Sequence, residues 1–214
     1  MNENDYLDDY NIVPINQFYY YDLFMQNIQE LKNAYPFLEI GTIGKSVLGK
    51  DLPYIRIGVG ERHIMYNGGI HANEWITSVL LMKFIENFCK SYVTNGSIYG
   101  KNARSLFHRV SLYIVPMLNP DTIDLVTGRL STNSQEYRNY ERISRNFPSI
   151  PFPNGWKANY RGVDLNLQFP AGWENAKRIK FEQGYNKPSP RDFVGEGPLT
   201  EPESLAIYNF TLAH

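Results

Sequence analysis

A near-continuous apolar segment from Val110 to Leu118 narrowly limits how this chain can fold. A strand with one face in water alternates apolar and polar residues, but this segment does not alternate and ends at Asn119-Pro-Asp. A run of that kind is typical of a strand that is buried on both faces. It therefore predicts an interior strand of a mixed or parallel sheet.

Helical and strand-like patterns precede this strand. Apolar residues recur at helical spacing over 17–35, and alternation over 38–47 and 52–58 around a Leu-Gly-Lys turn predicts a β-hairpin. A strand is predicted over 62–70 and a helix over 74–92. The side chains of this second helix that are predicted to face inward are Ile76, Leu80, Leu81, Phe84, Ile85 and Phe88. The alternation of predicted strands and helices along the chain predicts an α/β fold: a mixed, largely parallel β-sheet with helices on both faces.

The second half of the chain contains long irregular stretches. Polar residues over 133–146 predict a surface helix, whereas 146–161 and 169–199 are predicted to be loops. Thr200-Glu-Pro-Glu predicts a further helix start, with Thr200 as its cap and Glu203 completing a capping box.

Charge and cysteine content exclude several classes of protein. Lys and Arg number 21 against 22 Asp and Glu, so the chain lacks the basic excess that nucleic acids and anionic membranes attract. We therefore expect no nucleic-acid partner. Cys89 is the sole cysteine, which excludes an intramolecular disulfide and a cysteine-based zinc site, and its helical position predicts a small core residue.

The N-terminal residues carry no targeting pattern. Residues 1–10 are acidic and polar, whereas a secretory signal begins with basic residues and continues with an apolar run. No apolar stretch approaches the roughly 20 residues of a membrane span. These features predict a cytoplasmic protein without membrane insertion, and they leave action at a cell wall or spore open.

Two side chains able to bind a metal occur where the strand 62–70 meets the next helix. His71 and Glu74 are three residues apart, which lets a nitrogen and a carboxylate oxygen converge on one cation, as zinc requires at about 2.0–2.2 Å. Gly68 and Gly69 permit unusual backbone angles just before them. The alternative is a buried histidine beside an acid at a helix start, and the pair alone favours that alternative.

A second candidate segment runs from Arg161 to Asn166. Asp164 could accept a hydrogen bond from the far nitrogen of His71 and so fix its tautomer. Asn166 could donate to a substrate carbonyl or carboxylate. The alternative is a turn in which Asp164 and Asn166 bond to their own backbone, and the segment alone favours it.

Taken together, these motifs resemble those of the zinc metallocarboxypeptidase family. The His71/Glu74 pair is similar to that family's first ligand pair, and Gly162-Val-Asp-Leu-Asn is similar to its substrate-binding segment. Asn119-Pro-Asp and Thr200-Glu-Pro-Glu follow in the expected order. Within the family, His71-Ala-Asn-Glu-Trp-Ile-Thr and the segment that starts at Trp156 look most like bacterial γ-D-glutamyl-L-diamino-acid peptidases.

The resemblance implies a fold, a cofactor and a reaction. It implies an N-terminal arm over 1–16 and a zinc-carboxypeptidase-like catalytic domain over 17–214. His71 and Glu74 would bind Zn²⁺, with Asp164 orienting His71. The substrate would be a peptide or muropeptide, cleaved at the γ-D-glutamyl–meso-diaminopimelate bond of peptidoglycan stem peptides.

This sequence departs from the family pattern at the substrate-binding segment. Family exopeptidases usually carry an arginine where this chain has Leu167, and leucine cannot form a bidentate contact with a terminal carboxylate. The resemblance thus favours a substrate with other end-group chemistry, bound by Asn166, Arg161 and Leu167. Lys157 resembles the family's electrophilic arginine by position, with Arg161 as the second candidate for the cation at the oxyanion.

The family's third ligand and its general-base glutamate have no counterpart in this sequence. Counting from Thr200, His214 lies about ten residues before the expected ligand, so we expect the final strands of the sheet to be missing. His63 and His108 are predicted to be surface or packing residues. An inactive peptide- or glycan-binding remnant is therefore the alternative to an enzyme.

Overall fold

The computed structural model describes residues 11–214, and a four-stranded sheet forms its centre. The strand order is β1-β2-β6-β3, and β4 pairs with β5 in a separate two-stranded ribbon. The predicted hairpin, the strand over 62–70 and the interior apolar strand are all confirmed. The strands are β1 (Glu39–Lys45), β2 (Asp51–Ile57), β3 (Arg62–Asn67), β4 (Ser97–Ile98), β5 (Lys101–Asn102) and β6 (Val110–Val115).

Strand directions make the central sheet mixed, as predicted, but not largely parallel. β1 pairs antiparallel with β2 because a tight turn joins them, and β2 pairs antiparallel with β6. β3 and β6 are parallel, with Ile64 opposite Leu112. Parallel strands need a crossover, and the helical segment between β3 and β6 provides it. Among these four strands the expectation of mostly parallel pairing is therefore wrong.

Helices cover both faces of this sheet, as predicted. The described helices are α1 (Tyr21–Ala34), α2 (Ile76–Val93), α3 (Ala103–Arg109), α4 (Pro120–Val126), α5 (Gln135–Ser144), α6 (Trp173–Glu182) and α7 (Pro202–Ala213). One face packs Ile55 and Ile114 against α1 and α2. The other face packs Leu52 and Val115 against Ile207 of α7. Within residues 11–214, no helix combines the length and apolarity that crossing a membrane requires.

The inward face of α2 differs from the prediction. Ile76 and Leu80 are 57% and 68% exposed, whereas Val79 and Met82 are buried. The rest of the predicted inward set is confirmed, since Ile85 and Phe88 are buried in the core. Apolar residues occur on more than one face of this helix, so periodicity alone misplaced Ile76 and Leu80. An exposed apolar surface on α2 results.

The helix start at α7 also differs from the prediction. α7 begins at Pro202 with Glu201 as its N-cap, and no side chain caps it. The Thr200 hydroxyl instead bonds with Gln168 and the Gly197 carbonyl, and Glu203 bonds outside the helix. Tertiary partners therefore replace the predicted capping box.

The expected N-terminal arm lies partly outside the described residues, since residues 1–10 are not among them. From residue 11 onward the chain packs against α2. Ile12 and Val13 are buried, and their backbone N–H groups donate to the Glu86 carboxylate. Burial would raise the pKa of Glu86, but its hydrogen bonds and Lys83 outweigh that effect and lower it.

Candidate metal and substrate site

Two glycines bring the chain from β3 into the candidate site. The Gly68 N–H donates to the Val115 carbonyl at 3.0 Å, which continues the parallel pairing beyond β3. Gly69 has a φ of +59°, and a Cβ there would lie 2.6 Å from Oγ of Ser78 on α2. Glycine meets both demands without a clash. The chain then turns at once into a short 3₁₀ helix, Ala72–Glu74.

This turn places the two predicted metal ligands side by side. Nδ1 of His71 lies 3.1 Å from Oε2 of Glu74. The His71 side chain is 15% exposed and that of Glu74 is 45% exposed, so a cation can reach the pair from solvent. An imidazole nitrogen and a carboxylate oxygen are donors that zinc accepts.

Asp164 holds the other side of the imidazole ring. Its Oδ1 lies 3.1 Å from Nε2 of His71 and also accepts from the Asn166 N–H, while Oδ2 accepts from the Asp192 N–H. Both sequence interpretations of Asp164 are thus present in one geometry: it closes a local turn and contacts His71. The hydrogen bond that the ring donates to Asp164 raises the pKa of His71 despite the opposing effect of burial.

Lys157 completes the group around Glu74. Its Nζ lies 3.1 Å from Oε1 of Glu74, whereas His71 contacts the other oxygen, Oε2. Burial alone would raise the pKa of the Glu74 carboxyl, but Lys157 and His71 outweigh that effect and lower it. A positive side chain therefore lies beside the candidate metal ligands.

Asn119 ties together the two segments that supply these residues. It is fully buried at the end of the β6 segment. Its Nδ2 lies 3.3 Å from the carbonyl oxygens of Ile70 and Lys157 and 3.0 Å from that of Ala158. The sequence predicted Asn119-Pro-Asp as a motif but not this positioning role of Asn119. The signal that could have revealed it is a polar residue directly after a buried apolar run.

Asn159 is a second buried positioning residue that the sequence did not reveal. Its Oδ1 accepts from the N–H groups of Arg161 and Val163, and its Nδ2 donates to Glu201 and Glu203. The segment that carries Lys157 and the Arg161-to-Asn166 run is thereby anchored to the start of α7.

Arg161 does not join the His71/Glu74 pair in hydrogen bonds or ion pairs of the described structure. Its Nη1 lies 3.5 Å from Oε2 of Glu201, and its side chain is 53% exposed. Of the two candidates for the cation, Lys157 is therefore the one that contacts the pair. Asn166 is exposed, and Leu167 is half-buried in a 3₁₀ turn.

The remaining histidines and Cys89 are where the sequence predicted. His63 is exposed and its Nδ1 lies 2.9 Å from the His214 carbonyl, and His108 is also exposed. Cys89 is buried in the core, and burial raises the pKa of its thiol. Neither histidine stands in for a zinc ligand.

The described residues bring together two candidate zinc ligands, His71 and Glu74. Catalytic zinc sites normally take three protein ligands. No group of three His, Cys, Asp or Glu side chains suited to a metal occurs within residues 11–214. The donor atoms of His71 and Glu74 fit zinc, and a carboxylate holds the second ring nitrogen of His71, as in many zinc sites. The pair lacks a third protein ligand among the described residues.

A polar cleft of about 680 Å³ reaches Asn73, the residue two positions after His71 in sequence. Asn73, between the two candidate ligands, is part of its wall together with Tyr185, Arg191 and Asp192. The Oδ1 atom of Asn73 is buried without a hydrogen-bond partner in the described structure.

Comparison with a solved structure identifies the fold. The crystal structure of carboxypeptidase A from Helicoverpa armigera matches with a TM-score of 0.66 and 20% identity, over 96% of this chain and 46% of that chain. This likeness confirms the zinc-carboxypeptidase-like α/β fold.

Sequence comparison then gives the family. The gamma-D-glutamyl-L-diamino acid endopeptidase 1 of Lysinibacillus sphaericus is 40% identical over 94% of this chain and 49% of its own length. Uncharacterized protein YqgT of Bacillus subtilis (strain 168) is 39% identical over 86% of this chain and 47% of its own length. The zinc carboxypeptidase family profile matches residues 24–214, and the chain belongs to this family. It spans about half the length of these two relatives.

Proposed function

We propose that this chain is part of a zinc-dependent metallopeptidase of carboxypeptidase type that hydrolyses the γ-D-glutamyl–meso-diaminopimelate bond of peptidoglycan stem peptides. One observation carries the proposal: Nδ1 of His71 converges with the Glu74 carboxylate while Asp164 holds Nε2. The 40% identity to a gamma-D-glutamyl-L-diamino acid endopeptidase supports the substrate class.

In the proposed reaction, the zinc held by His71 and Glu74, the Lys157 cation and the Asn166 amide would have different parts. Bound zinc would polarise the scissile carbonyl and lower the pKa of a bound water. Hydrolysis breaks the amide C–N bond, and water supplies a hydroxyl to the acyl carbon and a proton to the leaving amine. Lys157 would stabilise negative charge on the carbonyl oxygen, and Asn166 would donate to the substrate.

Leu167 sets the expected specificity. An apolar side chain at this position cannot form the paired hydrogen bonds with which an arginine binds a terminal carboxylate. The chain is therefore expected to discriminate against ordinary peptides that end in a simple apolar residue.

The two-ligand site favours a second candidate, which is a peptide- or glycan-binding remnant without turnover. Within residues 11–214 no third metal-binding side chain joins the pair. Such a remnant would retain the cleft and bind stem peptide without cleaving it.

Turnover assays separate the two candidates and test specificity. The tripeptide L-Ala-γ-D-Glu-meso-diaminopimelate and a control peptide ending in leucine are each incubated with zinc and with the full-length protein that contains this chain. Zinc-dependent cleavage of the tripeptide that is lost in Glu74→Ala supports the peptidase. Stoichiometric binding without cleavage supports the remnant. Release of leucine at a matching rate contradicts the proposed specificity.

A further inference from the structure

A second cavity, of about 300 Å³, lies between α5 and the segments around residues 160 and 187. Three cationic side chains from three parts of the chain line it: Arg142, Arg161 and Lys187. Asn139 and Tyr160 contribute polar atoms to the same wall. The cavity thus gathers positive charge that distant parts of the sequence supply.

Little negative charge balances these cations among residues 11–214. Arg142 hydrogen-bonds to the neutral side-chain amide of Asn139, and Lys187 lies 5.9 Å from the centre of the Phe147 ring. Arg161 is 3.5 Å from Glu201, the one carboxylate within ion-pair distance of any of the three in the described structure. The cavity therefore carries a net positive charge.

The cavity is connected to the candidate metal ligands by a short stretch of chain. Lys157 contacts Glu74, and Arg161 follows four residues later, a separation of at most about 14 Å along an extended chain. The segment that carries Lys187 is bound to the same stretch, because the Lys157 N–H donates to the Pro190 carbonyl at 2.8 Å. A ligand of peptide length can span this distance.

We propose that this cavity is the subsite for a free carboxylate of an acidic peptide whose scissile amide lies at the His71/Glu74 pair. The proposal rests on the proposed peptidase or peptide-binding function. A γ-linked glutamyl residue keeps its α-carboxylate free, and diaminopimelate carries two carboxylates, so a stem peptide has more negative groups than an ordinary peptide. Guanidinium groups bind carboxylates through paired, charge-assisted hydrogen bonds.

Binding measurements on the 214-residue chain with zinc present test the subsite. The probes are L-Ala-γ-D-Glu-meso-diaminopimelate, the same tripeptide with amidated carboxylates, and inorganic phosphate. Arg142→Gln and Lys187→Gln remove cavity charges, and both side chains are exposed, so the fold is retained. Arg145→Gln is the matched control, because it removes the same charge from the end of α5 without lining the cavity.

We expect Arg142→Gln and Lys187→Gln each to weaken tripeptide binding about tenfold, the loss of one charge-assisted contact. Arg145→Gln should change it less than about twofold. The amidated tripeptide should bind weakly and be insensitive to Arg142→Gln. Equal effects of Arg142→Gln and Arg145→Gln, or equal binding of both tripeptides, would overturn the subsite.

Two further outcomes separate this proposal from the proposed function. Phosphate binding that depends on Arg142, without tripeptide binding, would overturn a carboxylate as the occupant. If zinc uptake depends on His71 but tripeptide affinity ignores Arg142, the subsite fails and the metal site stands. If tripeptide affinity depends on Arg142 but zinc uptake ignores His71, the subsite stands and the zinc-peptidase function fails.

Discussion

The imidazole of His71 is held from both sides, and this arrangement decides what the residue can do. Asp164 contacts Nε2 and leaves Nδ1 facing Glu74. When the Nε2–H is donated to a carboxylate, the lone pair of the neutral ring lies on Nδ1, the nitrogen that is then free to bind a metal. A substitution of Asp164 is therefore expected to lower the affinity for zinc.

We predict that Asp164→Asn weakens zinc binding about 10- to 100-fold, the usual effect of losing such a partner. The matched control is Asp192→Asn, because the Asp192 backbone N–H that bonds to Asp164 is retained and Asn tolerates the positive φ at this position. Chelator competition measures the affinity, and thermal unfolding checks the fold. Equal losses in both variants would contradict the assigned role of Asp164.

Among the elements, sequence patterns predicted those with a clear hydrophobic period or a continuous apolar run. The hairpin strands alternate and β6 is continuously apolar, because burial of one or both faces of a strand determines which of its residues are apolar. The helix α4 was missed because six of its seven residues are buried and it shows no amphipathic stripe. It also begins with Asn119-Pro-Asp, which is typical of a turn. The 169–199 region was predicted to be a loop but contains α6, of which one residue, Trp173, is buried.

The sequence likewise predicted some contacts of the candidate site and missed others. The His71/Glu74 pair and the Asp164 contact were predictable, since a spacing of three and a family resemblance pointed to them. The roles of Asn119 and Asn159 depend on contacts between residues far apart in sequence, which no local pattern encodes.

The start of α7 carries a titratable buried group, Glu203. Burial raises its pKa to about 7 from an ordinary 4.5, opposed by the Val47 N–H that donates to it. Between these values the folded state binds more protons than the unfolded state, so the free energy of unfolding falls as pH rises from about 5 to about 8. The fall is at most about 3 kcal/mol.

Denaturant titrations at several pH values test this prediction with Glu203→Gln, which should remove most of the slope. His71, whose pKa is also raised, changes stability in the same direction, so the difference between variant and parent isolates Glu203. Glu196→Gln, an exposed carboxylate in the preceding loop, is the control and should keep the slope. A parent whose stability is flat from pH 5 to 8 would refute the assignment.

At the scale of the whole molecule, the sheet has an open edge at β3. Within residues 11–214, β3 pairs on one side with β6 and has no partner strand on the other. Tyr66 of β3 and Leu80 of α2 are 48% and 68% exposed and line one apolar depression. An open edge beside apolar side chains promotes association.

We predict concentration-dependent self-association of the 214-residue chain, measured by light scattering after size exclusion. Leu80→Glu should shift it towards monomer, because a charge would have to be buried in the contact. Val59→Glu, an equally exposed apolar position in the turn before β3, should not. A parent that is monomeric at all concentrations would contradict the prediction.

The central claim is that His71 and Glu74 bind zinc, and zinc affinity tests it most directly. Equilibrium dialysis with chelator competition compares the parent chain with His71→Ala and with His63→Ala, an exposed histidine away from the pair. We predict weak, stoichiometric binding by the parent, because the described residues bring together two candidate ligands where catalytic sites use three. We also predict its loss in His71→Ala and its retention in His63→Ala. Zinc that survives dialysis equally in the parent and in His71→Ala would contradict the account.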